Sequence, residues 1–173
     1  MAGDDPWYNY LPLSTFRLPL MNLSTYFYSN TTRLLRWAIG INYFWFGMLK
    51  FFHGLSPAEG LAKDTIRVLT FGLIPDLVNL LLLATWEVGI GLIFLSGYFT
   101  RFGAKAAVVH MIFTFTPLFF FPEVSFSHAP FSFTIVGQYI VKNLVFLVAL
   151  GIILKEAKQT APQSEKYQWG KQA

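Results

Sequence analysis

Glu87, His110, Lys142 and Asn143 each stand near the middle of a long apolar run. In such a place a charged or amide side chain has no water to turn to. The segment FTIVGQYIVKNLVFLVALGIIL holds Lys142 and Asn143 at its centre, with Gln138 one helical turn earlier. Lys50 and His53 share a face at the end of another run. Lys50 lies about 10 Å outward of that run's centre at ~1.5 Å per residue. Gln138 stands at a similar level. Groups of this kind can hold a buried ion pair, donate hydrogen bonds to a ligand, or pass protons.

An unpaired charge at the bilayer centre costs about 2.5–3.5 kcal/mol on insertion scales. Glu87 and Lys142, both near midplane, are therefore expected to form a buried ion pair, with Gln138 and His110 within a helical turn. The candidate ligand contacts are Lys50, His53, Gln138, Lys142 and Asn143. A quinone headgroup, two carbonyl acceptors on an apolar tail, suits donors of this kind, with His53 relaying protons from the outer surface. The loop FFFPEVSFSHAPFSFT would cap an outer-half cavity with aromatic walls, the usual form of a small-molecule site. In the competing reading the same residues only fix helix register. His110 alone reads equally as a core histidine bonded to Thr114 or a neighbouring helix. The three histidines lie at three depths without ligand-type neighbours, so no metal site is expected.

The elements that must position these groups are helices. Of 173 residues, 54% are hydrophobic, with 19 Phe, 8 Tyr and 5 Trp, and only 13% are charged. A soluble domain would carry about a quarter charged residues. Four stretches can cross ~30 Å of hydrocarbon: residues 35–52, 77–99, 104–121 and 133–154. Pro75 and Asp76 suit a helix start, proline early and an acid near the positive dipole end. The fold class is all-α, an integral membrane four-helix transmembrane bundle with an N-terminal interfacial arm.

Basic residues orient it. Arg17, Arg33, Arg36, Arg101, Lys105, Lys155, Lys158, Lys166 and Lys171 all fall on one side. By the positive-inside rule both termini are cytoplasmic, in the inner (cytoplasmic) membrane. Residues 1–32 form the arm, 33–155 the membrane domain and 156–173 a polar cytoplasmic tail. The bases cluster at helix ends, so the net charge of +4 reads as topology and not as a nucleic-acid patch. The start, MAGDDPWYNY, has no basic n-region, so a cleaved signal peptide is not expected. No cysteine is present, which excludes disulfide, CxxC redox and thiolate-held cluster chemistry within this chain.

Three stretches carry a family resemblance: RLLRWAIGINYFWFGMLKFF, WEVGIGLIFLSGYFTRFGA and GQYIVKNLVFLVALGIIL. They resemble the first, second and last helices of the DoxX-like superfamily. The Gly-Gln and Lys-Asn pattern of the last is similar to a branch of inner-membrane proteins known for a response to reactive chlorine. The resemblance implies a four-helix membrane protein and points to Lys50, Glu87, Gln138, Lys142 and Asn143. It brings no established catalytic mechanism. Members include the small membrane subunit of an archaeal thiosulfate:quinone oxidoreductase, a membrane partner of superoxide dismutase and a sulfurtransferase, and receptor-assembly chaperones. Three functions follow as alternatives. The first is a subunit of a quinone-linked redox complex, at most accessory to catalysis. The second is a non-catalytic assembly or structural subunit, and the third a small transporter. Expected partners are the lipid bilayer with other membrane subunits or a second copy. Quinone is the one cofactor suggested.

Overall fold

A computed structural model of the chain describes residues 23–56 and 59–159. Residues 1–22 of the expected arm and 160–173 of the expected tail lie outside the described residues. The chain divides into two compact units, up to Thr31 and from Thr32 onward. Helix α1 (Leu23–Leu49) starts twelve residues ahead of the expected span at residue 35, inside the segment read as an arm. Within the first unit, polar side chains of α1 bond back along their own helix. Thr31 Oγ1 donates to Phe27 O at 2.6 Å and Asn30 Nδ2 to Tyr26 O at 3.1 Å. Such back-bonding satisfies side chains that otherwise compete with helix.

The second unit continues with α2 (Glu59–Leu69) and α3 (Asp76–Ser96), then α4 (Thr100–Phe113), α5 (Pro117–Phe120) and α6 (Pro122–Ser125). A short antiparallel pair, β1 (Phe126–His128) and β2 (Ser132–Phe133), precedes α7 (Ile135–Gln159). The protein is mostly helical and all-α in class. Among the described residues three helices are long and apolar enough to cross a membrane: α3, the run Thr100–Phe120, and α7. Helix α1 has the length, 27 residues, but carries Arg33, Arg36 and several polar residues in its first half. The long helices bare large apolar side chains such as Leu82, Leu92, Val109, Ile112, Val145 and Val148. Outward apolar groups are ordinary where the solvent is lipid.

Local sequence sets the boundaries. Pro75 caps α3 and Asp76 follows in its first turn. Gly97, at φ 82°, closes α3 in the left-handed region, its N–H bonded to Ile93 O at 3.0 Å. The expected third span breaks at Thr114–Thr116 before Pro117, which cannot continue the backbone ladder. Helix α2 was not foreseen; residues 59–69 read only as loop.

Glycines bring α1 and α3 together. A Cβ on Gly91 would lie 2.6 Å from Phe44 N, and one on Gly47 would lie 2.8 Å from Val88 N. Small residues let membrane helices approach backbone to backbone, where dispersion and polar contacts replace the hydrophobic drive. Around this crossing lies a core of Ile39, Tyr43, Ile90, Phe94, Ala104, Ala107, Met111, Leu150 and Ile153.

Candidate functional site: a buried polar chain

At the α1–α3 crossing the close approach at Gly47 sets Lys50, three residues on, against Glu87. Lys50 Nζ lies 2.6 Å from Glu87 Oε2, with side-chain exposures of 10% and 9%. Glu87 Oε1 lies 3.4 Å from His110 Nε2 on α4. His110 Nδ1 in turn lies 3.0 Å from the hydroxyl of Tyr43, which is also 3.3 Å from Ala107 O. The result is a continuous chain: ammonium, carboxylate, imidazole, phenol, backbone carbonyl. Tyr43 is only 4% exposed.

Two proton arrangements fit these distances. In the first, Tyr43 donates to His110 Nδ1, while His110 Nε2 faces Glu87 Oε1 at an ion-pair distance of 3.4 Å. In the second, His110 carries a proton on Nδ1 as well, and the Tyr43 hydroxyl turns to donate to Ala107 O. The second holds one proton more than the first, and the Tyr43 hydroxyl and His110 Nδ1 are matched in both. Such matching is what a buried polar group needs to be stable.

The sequence reading paired Glu87 with Lys142, and that pairing is corrected. Glu87 is held by Lys50 and His110, whereas Lys142 is exposed and lies 5.1 Å from the centre of the Tyr139 ring. Successive helical residues are about 100° apart. At this level Asn143 takes the inward position, donating to Thr114 Oγ1 at 3.0 Å, so its neighbour Lys142 faces out. Gln138 is exposed one turn away from Lys142, and so does not stand beside Glu87. His110 does stand there: its ring is hydrogen-bonded to Tyr43 and lies 3.4 Å from Glu87 Oε1, while Thr114 meets it only through the backbone, N–H to His110 O.

The five candidate ligand contacts therefore go to separate places. Lys50 belongs to the buried chain. His53, its side chain 89% exposed, lies 2.9 Å from Glu59 Oε1. Glu59 also accepts from Lys63 at 2.5 Å and from the Gly54 N–H at 2.9 Å. The Lys63 hydrogen bond, then the Gly54 N–H, lower the Glu59 carboxyl to a pKa of about 2. This cluster ties the start of α2 to the turn after α1. Gln138 and Lys142 share an outward face of α7, and Asn143 braces α7 against α4. Two open grooves, one between α1 and α7 and one beside α3, are lined by other, mainly apolar residues. Among the described residues no three His, Cys, Asp or Glu gather as a metal site.

Tyr43 was missed from sequence. Its signal is spacing: Gly40, Tyr43, Gly47 and Lys50 fall at intervals of three and four, one stripe of α1. Glu87, Gly91 and Phe94 form the facing stripe of α3.

A multi-pass helical membrane protein with a buried carboxylate–imidazole–phenol chain is the class these observations define. Residues 32–122, more than half of the chain, match the DoxX family, and the chain belongs to that family. No curated protein and no solved structure matches it at a significant level.

Proposed function

We propose that this chain is a membrane subunit of a quinone-linked redox complex, with α1 as its fourth span and both termini on the cytoplasmic side of the inner membrane. In this role the Lys50–Glu87–His110–Tyr43 chain gives and takes one proton as a quinone-like ligand changes its redox state nearby. The supporting observation is that the Tyr43 hydroxyl has both His110 Nδ1 and Ala107 O within hydrogen-bond reach, so that a proton added at Nδ1 still finds an acceptor. Of the five ligand contacts expected from sequence, Lys50 is the member joined to this chain, and it donates to the ligand carbonyl. The reading treats the subunit as accessory: electrons come from a partner, and this chain supplies hydrogen bonds and a proton.

The test is titration of the purified protein with a short-chain quinone, followed by tryptophan fluorescence. Saturable quenching is expected. Lys50→Met combined with Glu87→Gln, which avoids stranding a carboxylate, should weaken binding by about tenfold or more, the size of one hydrogen bond from a charged donor. Absence of saturable binding by the native chain overturns the proposal. So does unchanged affinity in the folded double variant.

A second reading has one observation in its favour. The four side chains have one another as partners, as they would in a non-catalytic assembly or structural subunit. It predicts that the same double variant leaves complex formation intact and that no quinone binds.

A further inference from the structure

Helix α7 carries a second polar feature that the buried chain does not use. Lys142 stands seven residues into the helix from Ile135, about 10 Å inward along its axis. Its side chain is exposed, and its neighbour is the Tyr139 ring, not an acid. Gln138, one turn outward, is exposed with no side-chain hydrogen bond among the described residues. An ammonium and an amide facing hydrocarbon are costly, and such residues in spans normally turn to a bundle interior or a partner.

The spacing along α7 is that of a helix-packing seam. Gln138, Lys142, Val145, Ala149 and Ile152 follow one another at intervals of four, three, four and three. The lower part of this stripe lines an open apolar groove of about 450 Å³, with Leu35 of α1 as its far wall. The seam thus runs from a polar upper end into an apolar trough between α1 and α7. A second copy of this chain is a poor occupant. A two-fold pairing on this face sets Lys142 near its own counterpart. The carboxylate that α3 carries in mid-span, Glu87, is already bonded to Lys50 and His110.

We infer that this face of α7 docks a transmembrane helix of a different subunit, one that presents a carboxylate to Lys142 and Gln138 and apolar side chains to the groove beside Leu35. Charge complementarity at the upper end fixes depth and register, while the trough supplies packing area. The inference rests on the reading of the chain as a complex subunit, but not on any ligand.

The experiment uses the full chain in its native membrane with a photo-crosslinking side chain placed at Val145 on the seam or at Leu82 on the exposed face of α3. Val145 should give an adduct with a single membrane protein, whose crosslinked helix contains Asp or Glu. Lys142→Glu should cut that adduct by about tenfold or more, since losing one member of a desolvated pair mainly speeds dissociation. Changing the partner's acid to Lys should then restore it. The seam is overturned if Lys142→Glu leaves the adduct unchanged, if the captured helix has no acid, or if the adduct is with a second copy. Lipid adducts alone at Val145 also overturn it, and mean that Lys142 snorkels along Tyr139 to the headgroups. Protein adducts at Leu82 in that case keep the complex reading while removing the seam. No protein adduct at either position removes both.

Discussion

Glu87 and Lys142 carry opposite charges within membrane-spanning helices of one chain, yet their surroundings differ completely. Glu87 is enclosed by a lysine and a histidine from two other helices, at 2.6 and 3.4 Å. Lys142 faces outward over one tyrosine ring. The difference lies in the backbone beneath them. At Glu87 two glycine-bearing helices touch, and a neighbouring residue on each reaches across. At Lys142 the inward direction is already taken by Asn143, bonded to α4. A polar group at membrane depth is completed within the chain where helices cross closely, and is left exposed where they do not. The comparison makes four predictions.

The largest effect should follow from opening the closed region. Lys50→Met leaves Glu87 buried without its cation, and breaking such a pair costs about 3–5 kcal/mol. Glu87→Gln in the same chain should recover part of that loss. Unfolding in mixed detergent micelles measures both, and the non-additive remainder is the coupling. Strictly additive losses would mean that the two groups do not depend on each other, and the contrast with Lys142 would collapse.

Next comes the crossing that makes closure possible. In Gly91→Ala the new methyl meets the backbone of Phe44, at 2.6 Å from its nitrogen. The helices must separate, at about 1–3 kcal/mol for overpacking of this kind. Gly89, two residues away, has nothing within 4 Å of an added Cβ. Gly89→Ala should therefore be neutral or stabilising, by up to about 0.5–1 kcal/mol from helix propensity. Equal losses at the two sites would show that the glycines matter through flexibility and not through contact.

A third test reads the far end of the chain. Tyr43→Phe keeps the ring in place and deletes the hydroxyl opposite His110 Nδ1 and Ala107 O. Leaving one buried acceptor unpaired should cost about 1–2 kcal/mol, and a proton on His110 Nδ1 would lose the hydroxyl oxygen that accepts it. If stability is unchanged, Tyr43 is a packing ring and the chain ends at His110.

These contrasts explain what was legible in the residues. Apolar run length placed α3 and α7 to within a few residues, and Pro75–Asp76 marked the start of α3 correctly. Depth was legible too, since it follows from counting along a helix: Glu87 and His110 were expected close together and are. Direction around the helix axis was not. Pairing Glu87 with Lys142 rested on depth alone, whereas the partner is set by which helices cross and how closely. Lys50, placed about 10 Å outward by the ~1.5 Å rise per residue, reaches Glu87 because its stem is flexible and Gly47 removes the space between backbones. The early start of α1 was hidden by residues 29–32, whose polarity suggested an arm. Helix α2 was hidden by the turn signals around Pro57.

The smallest effect on the chain itself should come from Lys142. Lys142→Met removes a charge that has no acid beside it among the described residues and whose contact is the Tyr139 ring. Substitutions at exposed sites away from such networks usually stay within about 0.5 kcal/mol. Stability of the isolated, detergent-solubilised chain should therefore hardly move, or should rise slightly as an exposed ammonium leaves the apolar zone. Lys50→Met and Lys142→Met delete the same charge from the same residue type, so their ratio is a direct reading of closed against open surroundings. A loss of several kcal/mol at Lys142 in the isolated chain would mean that the ammonium has an internal partner after all, and that α7 is turned differently in the bundle. A negligible loss there, joined to weaker retention of the chain in its native membrane complex, would show that the charge acts between subunits and not within this one.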